Sequence, residues 1–169
     1  MTDTSHTSST YDNAFEDAGV LITGGAGFIG SHLGARLTAL GARVRIIDDL
    51  SSGSRSNLAA IAEAGREPEL IEASILNAGA LERASAGCRY VFHHAAMVSV
   101  PESVGDPEGC LQANIVGTQR VLEAARQAGV RRVTIASSAA VYGDEPSLPS
   151  SETDPIDCRS PYAAGKASG

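Results

Sequence analysis

Long apolar runs are missing from these 169 residues, and no stretch approaches the length needed to cross a bilayer, so no membrane partner is expected. Cysteine is scarce. Cys88, Cys110 and Cys158 are odd in number, far apart and never spaced as Cys-x-x-Cys. That excludes a disulfide framework and a zinc site, and it fits a reducing cytosol. Positive charge is also short, with 13 Lys plus Arg against 20 Asp plus Glu and a net charge of −7. A surface of that sign does not neutralise a phosphate backbone, so nucleic acid is not an expected partner. No basic residue precedes Arg36, which leaves neither a secretory n-region nor an Arg-rich transit peptide. The composition predicts a cytoplasmic chain, and its length suits one domain with a continuous core.

What is present has a clear order. Residues 1–19 are rich in Ser, Thr, Asp and Asn and are predicted to form a disordered lead-in. From Val20 to Gly169 short apolar runs alternate with helical stretches. The runs are Val20 to Thr23, Val44 to Asp48, Glu69 to Glu72, Tyr90 to His93 and Arg132 to Ala136. Each is short and rich in β-branched or aromatic residues, as buried parallel strands are. Between the first two, Ile29, Leu33, Leu37 and Leu40 fall on one helical face, with Gly41 as the stop. Asp106-Pro107 predicts the start of a long helix in which Leu111, Ile115, Leu122 and Ala125 share a face, ended by Gly129. Strand and helix in alternation predict right-handed crossovers and an α/β fold, a Rossmann-type doubly wound parallel sheet in the order 3-2-1-4-5.

Thr23-Gly24-Gly25-Ala26-Gly27-Phe28-Ile29-Gly30 stands where the first strand hands over to the first helix. It reads as G-x-G-x-x-G at Gly25, Gly27 and Gly30, or as G-x-x-G-x-x-G from Gly24. Either spacing permits a tight turn and close approach of backbone to a pyrophosphate at a helix N-terminus. Ser31 follows Gly30, so a Walker A loop is excluded. Asp48 ends the second strand, 18 residues past Gly30, where a carboxylate accepts from ribose hydroxyls and repels a 2′-phosphate. NAD is therefore favoured over NADP. Asp49 is the competing acid, and Arg55 is the residue that a 2′-phosphate would use.

Near the C-terminal end, Pro161 suits the first turn of a helix on which Tyr162 and Lys166 share a side. The spacing alone is common. Yet twelve of the thirteen basic residues are Arg, and Lys166 is the one lysine. A compact ammonium beside a phenol is a role Arg fills poorly. Ser137 and Ser138 follow the fifth strand, either in the crevice where such sheets bind ligands or as plain strand-end caps. His93 and His94 point to opposite sides of a strand end, and a packed or capping role suits them better than metal binding.

Taken in order, these segments resemble the extended short-chain dehydrogenase/reductase superfamily, in particular NAD-dependent nucleotide-sugar epimerases of the UDP-glucose 4-epimerase type. The resemblance runs from Val20 to Gly169. It includes Asp48 to Gly53, Val91 to Ala96, Ser99 to Ser103, Asn114 to Thr118 and Ser137 to Gly143, beside the glycine loop and the Tyr162–Lys166 pair. It implies that Tyr162 is the acid/base at the sugar 4-hydroxyl and that Ser138 bonds the same oxygen. Lys166 would bond the nicotinamide ribose and favour the phenolate. Gly24, Gly27, Phe28, Ile29, Asp48, Ser74, Ile75, Ala95, Ala96 and Asn114 would line the cofactor, together with Tyr162 and Lys166. The implied substrate is a UDP-linked sugar, and relatives pair as homodimers through helices of this domain.

The chain also departs from the pattern. Ala139 and Ala140 stand where dehydrating relatives carry acids, which favours an epimerase or a simple reductase over a dehydratase. Ser74 replaces the usual adenine-contacting Asp, and Val98 replaces a lysine of some galactose-type epimerases. The chain stops three residues past Lys166, where relatives continue into a sugar-binding lobe. The expectation is therefore the N-terminal, cofactor-binding part of an epimerase, by itself at best a weak NAD binder and inactive on sugars. The alternatives are a binding-only NAD module and a remnant that does nothing.

Overall fold

The computed structural model describes residues 14–144 and 148–169. Five strands form one parallel sheet: β1 Gly19–Thr23, β2 Arg43–Asp48, β3 Glu69–Glu72, β4 Tyr90–His93 and β5 Arg132–Ile135. Their spatial order is β3-β2-β1-β4-β5, as the alternation of strand and helix predicts. The register sets Thr23 of β1 beside Ile47 of β2 and His93 of β4. All five C-terminal ends therefore lie along one edge of the sheet. Candidate cofactor residues at the ends of β1, β2 and β4 are neighbours for that reason.

Helices cover both faces. On one side α1 Phe28–Ala39 and the short α2 Ala59–Glu63 close over Val20, Ile22, Val44 and Ile46. On the other side α3 Ala78–Ser85 and α6 Gly117–Gln127 close over Leu21, Ile47 and Val91. Alternate residues of one strand thus serve opposite cores, as a two-sided sheet requires. Each buried Leu or Ile contributes about 1.5–3 kcal/mol relative to exposure.

The helix faces match the expected ones only in part, since Leu37 and Ala125 are buried as expected and most of the other expected positions are not. On α1 the buried residues are Gly30, Ser31, Gly34, Leu37 and Thr38, while Ile29 is exposed. The cause is close packing: a Cβ on Gly34 would lie 2.6 Å from Ile61 Cδ1. The long helix is also rotated by one residue from the expected stripe. It begins, as expected, with Asp106 capping the Gly109 amide at 2.9 Å and Pro107 in the first turn. It then runs as α5 Pro107–Leu111, one wider π turn at Gln112–Val116, and α6. Its buried positions are Cys110, Asn114, Gly117, Thr118, Val121 and Ala125, and Leu111 and Leu122 are each 40% exposed.

The lead-in boundary is also corrected. Residues 1–13 lie outside the described residues, but residues 14–18 form a turn on the sheet. The Phe15 ring meets Tyr90 edge-on at 5.4 Å, and the Asp17 amide bonds the Gly41 carbonyl at 3.0 Å. Three short helices complete the fold at the sheet's C-terminal edge: α4 Val100–Gly105, a 3-10 turn at Ala139–Tyr142, and α7 Pro161–Ala167. The sequence reads Asp144-Glu145 as solvated loop positions, and of the two Glu145 lies outside the described residues.

Candidate active site

The glycine loop is built by close backbone approach. Gly24 has φ +69, and a Cβ there would lie 2.6 Å from the Ala95 amide nitrogen. A Cβ on Gly30 would lie 2.3 Å from the Gly24 carbonyl oxygen. Neither position admits a side chain. The Gly27 amide bonds the Gly24 carbonyl at 3.2 Å, and Gly27 opens α1 with no side-chain cap and no acid in the first turn. The first amides of a twelve-residue helix are thus left without a side-chain partner, an arrangement that suits an anion. Phe28 and Ile29 stand 77% and 64% exposed beside it. A crevice with no side chains, an uncapped helix end and uncovered apolar residues fits the pyrophosphate region of a dinucleotide.

Asp48 is buried at the end of β2. One carboxylate oxygen accepts from the Ala26 amide inside the glycine loop, at 2.9 Å, and the other from the Leu50 amide, at 2.9 Å. Each oxygen keeps a second lone pair for a further donor. Asp49 instead closes its own turn, accepting from the Ser51 amide and hydroxyl at 3.0 and 2.6 Å. Arg55 is paired with Glu72. The Ala73 amide bonds the Asp48 carbonyl at 3.1 Å, so Ser74 and Ile75 follow directly beside the acid. Ser74 Oγ accepts from the Leu76 amide at 3.2 Å. Ile75 buries its side chain in the core.

Ala95, Ala96 and Met97 carry the chain from β4 across the front of the glycine loop. This segment is pinned at both ends. The Ala95 amide donates to Thr23 Oγ1 at 3.1 Å. The buried Asn114 amide accepts from the Met97 amide at 2.9 Å and donates to the Met97 carbonyl at 3.0 Å.

The helix bearing Tyr162 and Lys166 docks on the same residues. Ser160 caps α7 by accepting from the Ala163 amide at 3.1 Å, with Pro161 in the first turn as expected. Seven residues make a marginal helix on their own, so tertiary contacts hold it. The Tyr162 amide donates to Ser103 Oγ at 3.2 Å, and Ser103 in turn donates to the Val100 carbonyl at 2.7 Å. Gly165 packs directly on Asn114. Lys166 Nζ donates to the Ala136 carbonyl at 2.8 Å, and Ser137 Oγ donates to the Lys166 carbonyl at 3.4 Å. Burial holds the Lys166 ammonium below the usual lysine range. Ser138 Oγ accepts from the Ala140 amide at 3.2 Å and caps the 3-10 turn. Its own proton remains available to an oxygen in the crevice.

The structure thus gathers Ala136 to Ser138, Tyr162, Lys166 and Asn114 at one end of the crevice. Gly24 to Gly30 and Asp48 stand at the other, and Ala95 to Met97 run along it. Three supporting residues escaped the sequence reading of roles: Ser103, Thr23 and Thr118. All three lie inside recognised segments, yet nothing in a hydroxyl's spacing announces which group it holds. His93 is buried and packed, as the strand-end reading expects. Burial first, then the charges of Lys166 and His94, lower it to about 4.

Comparison with known proteins identifies the family. The model of the NAD dependent epimerase/dehydratase family matches residues 20–169. A UDP-glucose 4-epimerase of Mycolicibacterium smegmatis is 48% identical over 153 residues, covering 88% of this chain and 48% of that protein. The crystal structure of a UDP-glucose 4-epimerase from Stenotrophomonas maltophila, with bound NAD and formylated UDP-arabinopyranose, superposes with TM-score 0.84 at 34% identity. That match covers 89% of this chain and 46% of the other. A dTDP-glucose 4,6-dehydratase of Streptomyces venezuelae, solved with NAD and TYD, superposes with TM-score 0.79 at 37% identity, over 89% and 47%. The chain therefore spans about half the length of these relatives.

Proposed function

The chain belongs to the NAD-dependent epimerase/dehydratase family, and from that premise we propose that it carries the cofactor site and the acid/base residues of a nucleotide-sugar 4-epimerase acting on a UDP-linked sugar. One observation carries the proposal. The short helix α7 is fastened to the C-terminal end of β5 by Lys166 on Ala136, directly before Ser137 and Ser138. A helix with no role in chemistry has no need of the single lysine, half-buried at this strand end.

NAD, when bound, supplies a reversible acceptor for the hydride at sugar C4. The protein's own residues do the rest. Gly24, Gly27 and the first turn of α1 hold the pyrophosphate, with Phe28 and Ile29 against its sides. Asp48 accepts from the adenosine ribose hydroxyls. Arg55 pairs with Glu72 at the surface, so a 2′-phosphate has to compete with that carboxylate for it. Ser74, Ala95 and Ala96, with the backbone of Ile75, complete the cofactor wall, and Asn114 holds that wall from behind through Met97. Lys166 keeps N–H donors for the nicotinamide ribose after bonding Ala136. Tyr162 takes the proton of the 4-hydroxyl and later returns it, while Ser138 donates to the same oxygen. Ala139 and Ala140 offer no acid to expel water, which supports epimerisation over the dehydration named for the Streptomyces neighbour. A homodimer pairing through the long helix, which exposes Leu111 and Leu122, is part of the proposal.

The test is a chimera in which these 169 residues are followed by the remaining half of the mycobacterial relative. It is expected to interconvert UDP-glucose and UDP-galactose, and Tyr162→Phe is expected to lower the rate by about 10²–10⁴. A folded, NAD-binding chimera that leaves both sugars unchanged, or one in which Tyr162→Phe retains full rate, refutes the reading.

A further inference from the structure

We infer that His93 is a positioning residue of the cofactor crevice. As a neutral imidazole protonated on Nε2, it ties the segment Ala95 to Met97 to the helix that supports Tyr162 and Lys166. The inference rests on the reading of this crevice as the NAD site.

Three buried side chains form a single hydrogen-bonded line across the molecule: Thr23 on β1, His93 on β4 and Thr118 on α6. Thr118 Oγ1 donates to the Asn114 carbonyl at 2.7 Å. That spends its proton, so across the 2.9 Å contact with His93 Nε2 it can only accept. Nε2 therefore carries the imidazole proton. In the neutral ring Nδ1 is then bare, and it accepts from Thr23 Oγ1 at 2.6 Å. Thr23 Oγ1, having donated, accepts from the Ala95 amide at 3.1 Å. Every donor and acceptor on the line is used once, and only one direction of protons satisfies all of them.

The ends of the line define its role. One end is the Ala95 amide, where the crevice segment begins. The other is the Asn114 carbonyl, and Asn114 clamps the same segment two residues later through Met97. Asn114 is also the surface on which Gly165 of α7 rests. His93 thus lies between the two anchors of one three-residue strap and couples both to the catalytic helix. A charged imidazole would present a second proton to Thr23, whose own proton would then lose its acceptor. The Lys166 charge opposes a second one on this ring, and so does His94 whenever it is protonated.

The experiment uses the 169-residue chain with Thr118→Val, which keeps shape and removes the two links at the Asn114 end, and with His93→Phe, which removes the two links at the ring. Circular dichroism selects folded protein. Hydrogen exchange at the Ala95 amide is the first readout, because Thr118 does not touch Ala95. In folded Thr118→Val that amide is expected to exchange about tenfold faster than in the wild type, and NAD itself to bind about tenfold more weakly. Nitrogen chemical shifts of His93 in the wild type are expected to show one protonated ring nitrogen, Nε2, at neutral pH. Ala95 exchange within about twofold of the wild type in folded Thr118→Val overturns the inference. So does a ring protonated on Nδ1. If the wild type fails to bind NAD, the cofactor reading fails, while the exchange and ring-nitrogen results still decide the coupling. If His93→Phe does not fold, Thr118→Val decides alone.

Discussion

Gly165 and Asn114 are in direct contact, so close that a Cβ on the glycine would stand 2.8 Å from the Asn114 Cβ. Gly165 lies between Tyr162 and Lys166 on α7, and Asn114 is held by both the Met97 amide and the Met97 carbonyl. The clash is therefore with an atom that cannot swing aside. An alanine would favour the helix by about 1 kcal/mol. Overpacking at this contact costs about 1–3 kcal/mol. Gly165→Ala is expected to lower stability by roughly 1 kcal/mol net and to lift α7 from the crevice. Urea unfolding and the exchange rate of the Tyr162 amide, which bonds Ser103, measure the two effects.

Asp48 serves the fold as well as the ribose. Its carboxylate satisfies the Ala26 and Leu50 amides, and Asp48→Ala leaves both without that acceptor. The expected loss is about 2 kcal/mol of stability, together with loss of NAD binding. Asp48→Asn is expected to keep one of the two bonds and part of the stability. Comparing both variants by urea unfolding and by calorimetric titration with NAD separates structure from recognition.

Acid acts on this protein through His93. Its pKa is lowered from 6.5 to about 4 in the folded state, so the unfolded chain binds a proton first as pH falls. Stability is then fully present above pH 6.5 and is lost progressively between pH 6.5 and about 4. The size is about 3 kcal/mol for such a shift. His94, lowered mainly by burial, acts in the same direction. Urea midpoints measured across this window are expected to fall steeply in the wild type and less in His93→Phe.

Much of this was legible beforehand because strand chemistry is local. Short β-branched runs located all five strands to within a residue or two, and strict alternation with helices gave their order. The glycine loop and Asp48 were legible because close approach and a strand-end acid leave marks in the sequence. The helix faces were not. On α1 the buried stripe is Gly30, Gly34 and Leu37, and on the long helix it is Cys110, Asn114, Thr118 and Val121. Leu37 lies in that stripe, but Ile29 and Leu33 on α1 and Leu111, Ile115 and Leu122 on the long helix lie one residue away from it. A helix pressed close to a sheet uses small residues at the contact, and a reading weighted by hydrophobicity then selects the neighbouring stripe. Phe15 was passed over for a related reason: a lone aromatic in a polar stretch gives no period, and its partners Tyr90 and Phe92 are remote in sequence. The hydrogen-bonded line through His93 was hidden because each of its three members is ordinary by itself.

The most direct measurement is a pair of calorimetric titrations of the 169-residue chain, one with NAD and one with NADP. NAD is expected to bind, and NADP to bind at least about tenfold more weakly, because the Asp48 carboxylate repels a 2′-phosphate and Arg55 is paired with Glu72. Equal or tighter binding of NADP would contradict the assignment of Asp48, and binding of neither would contradict the assignment of the crevice itself.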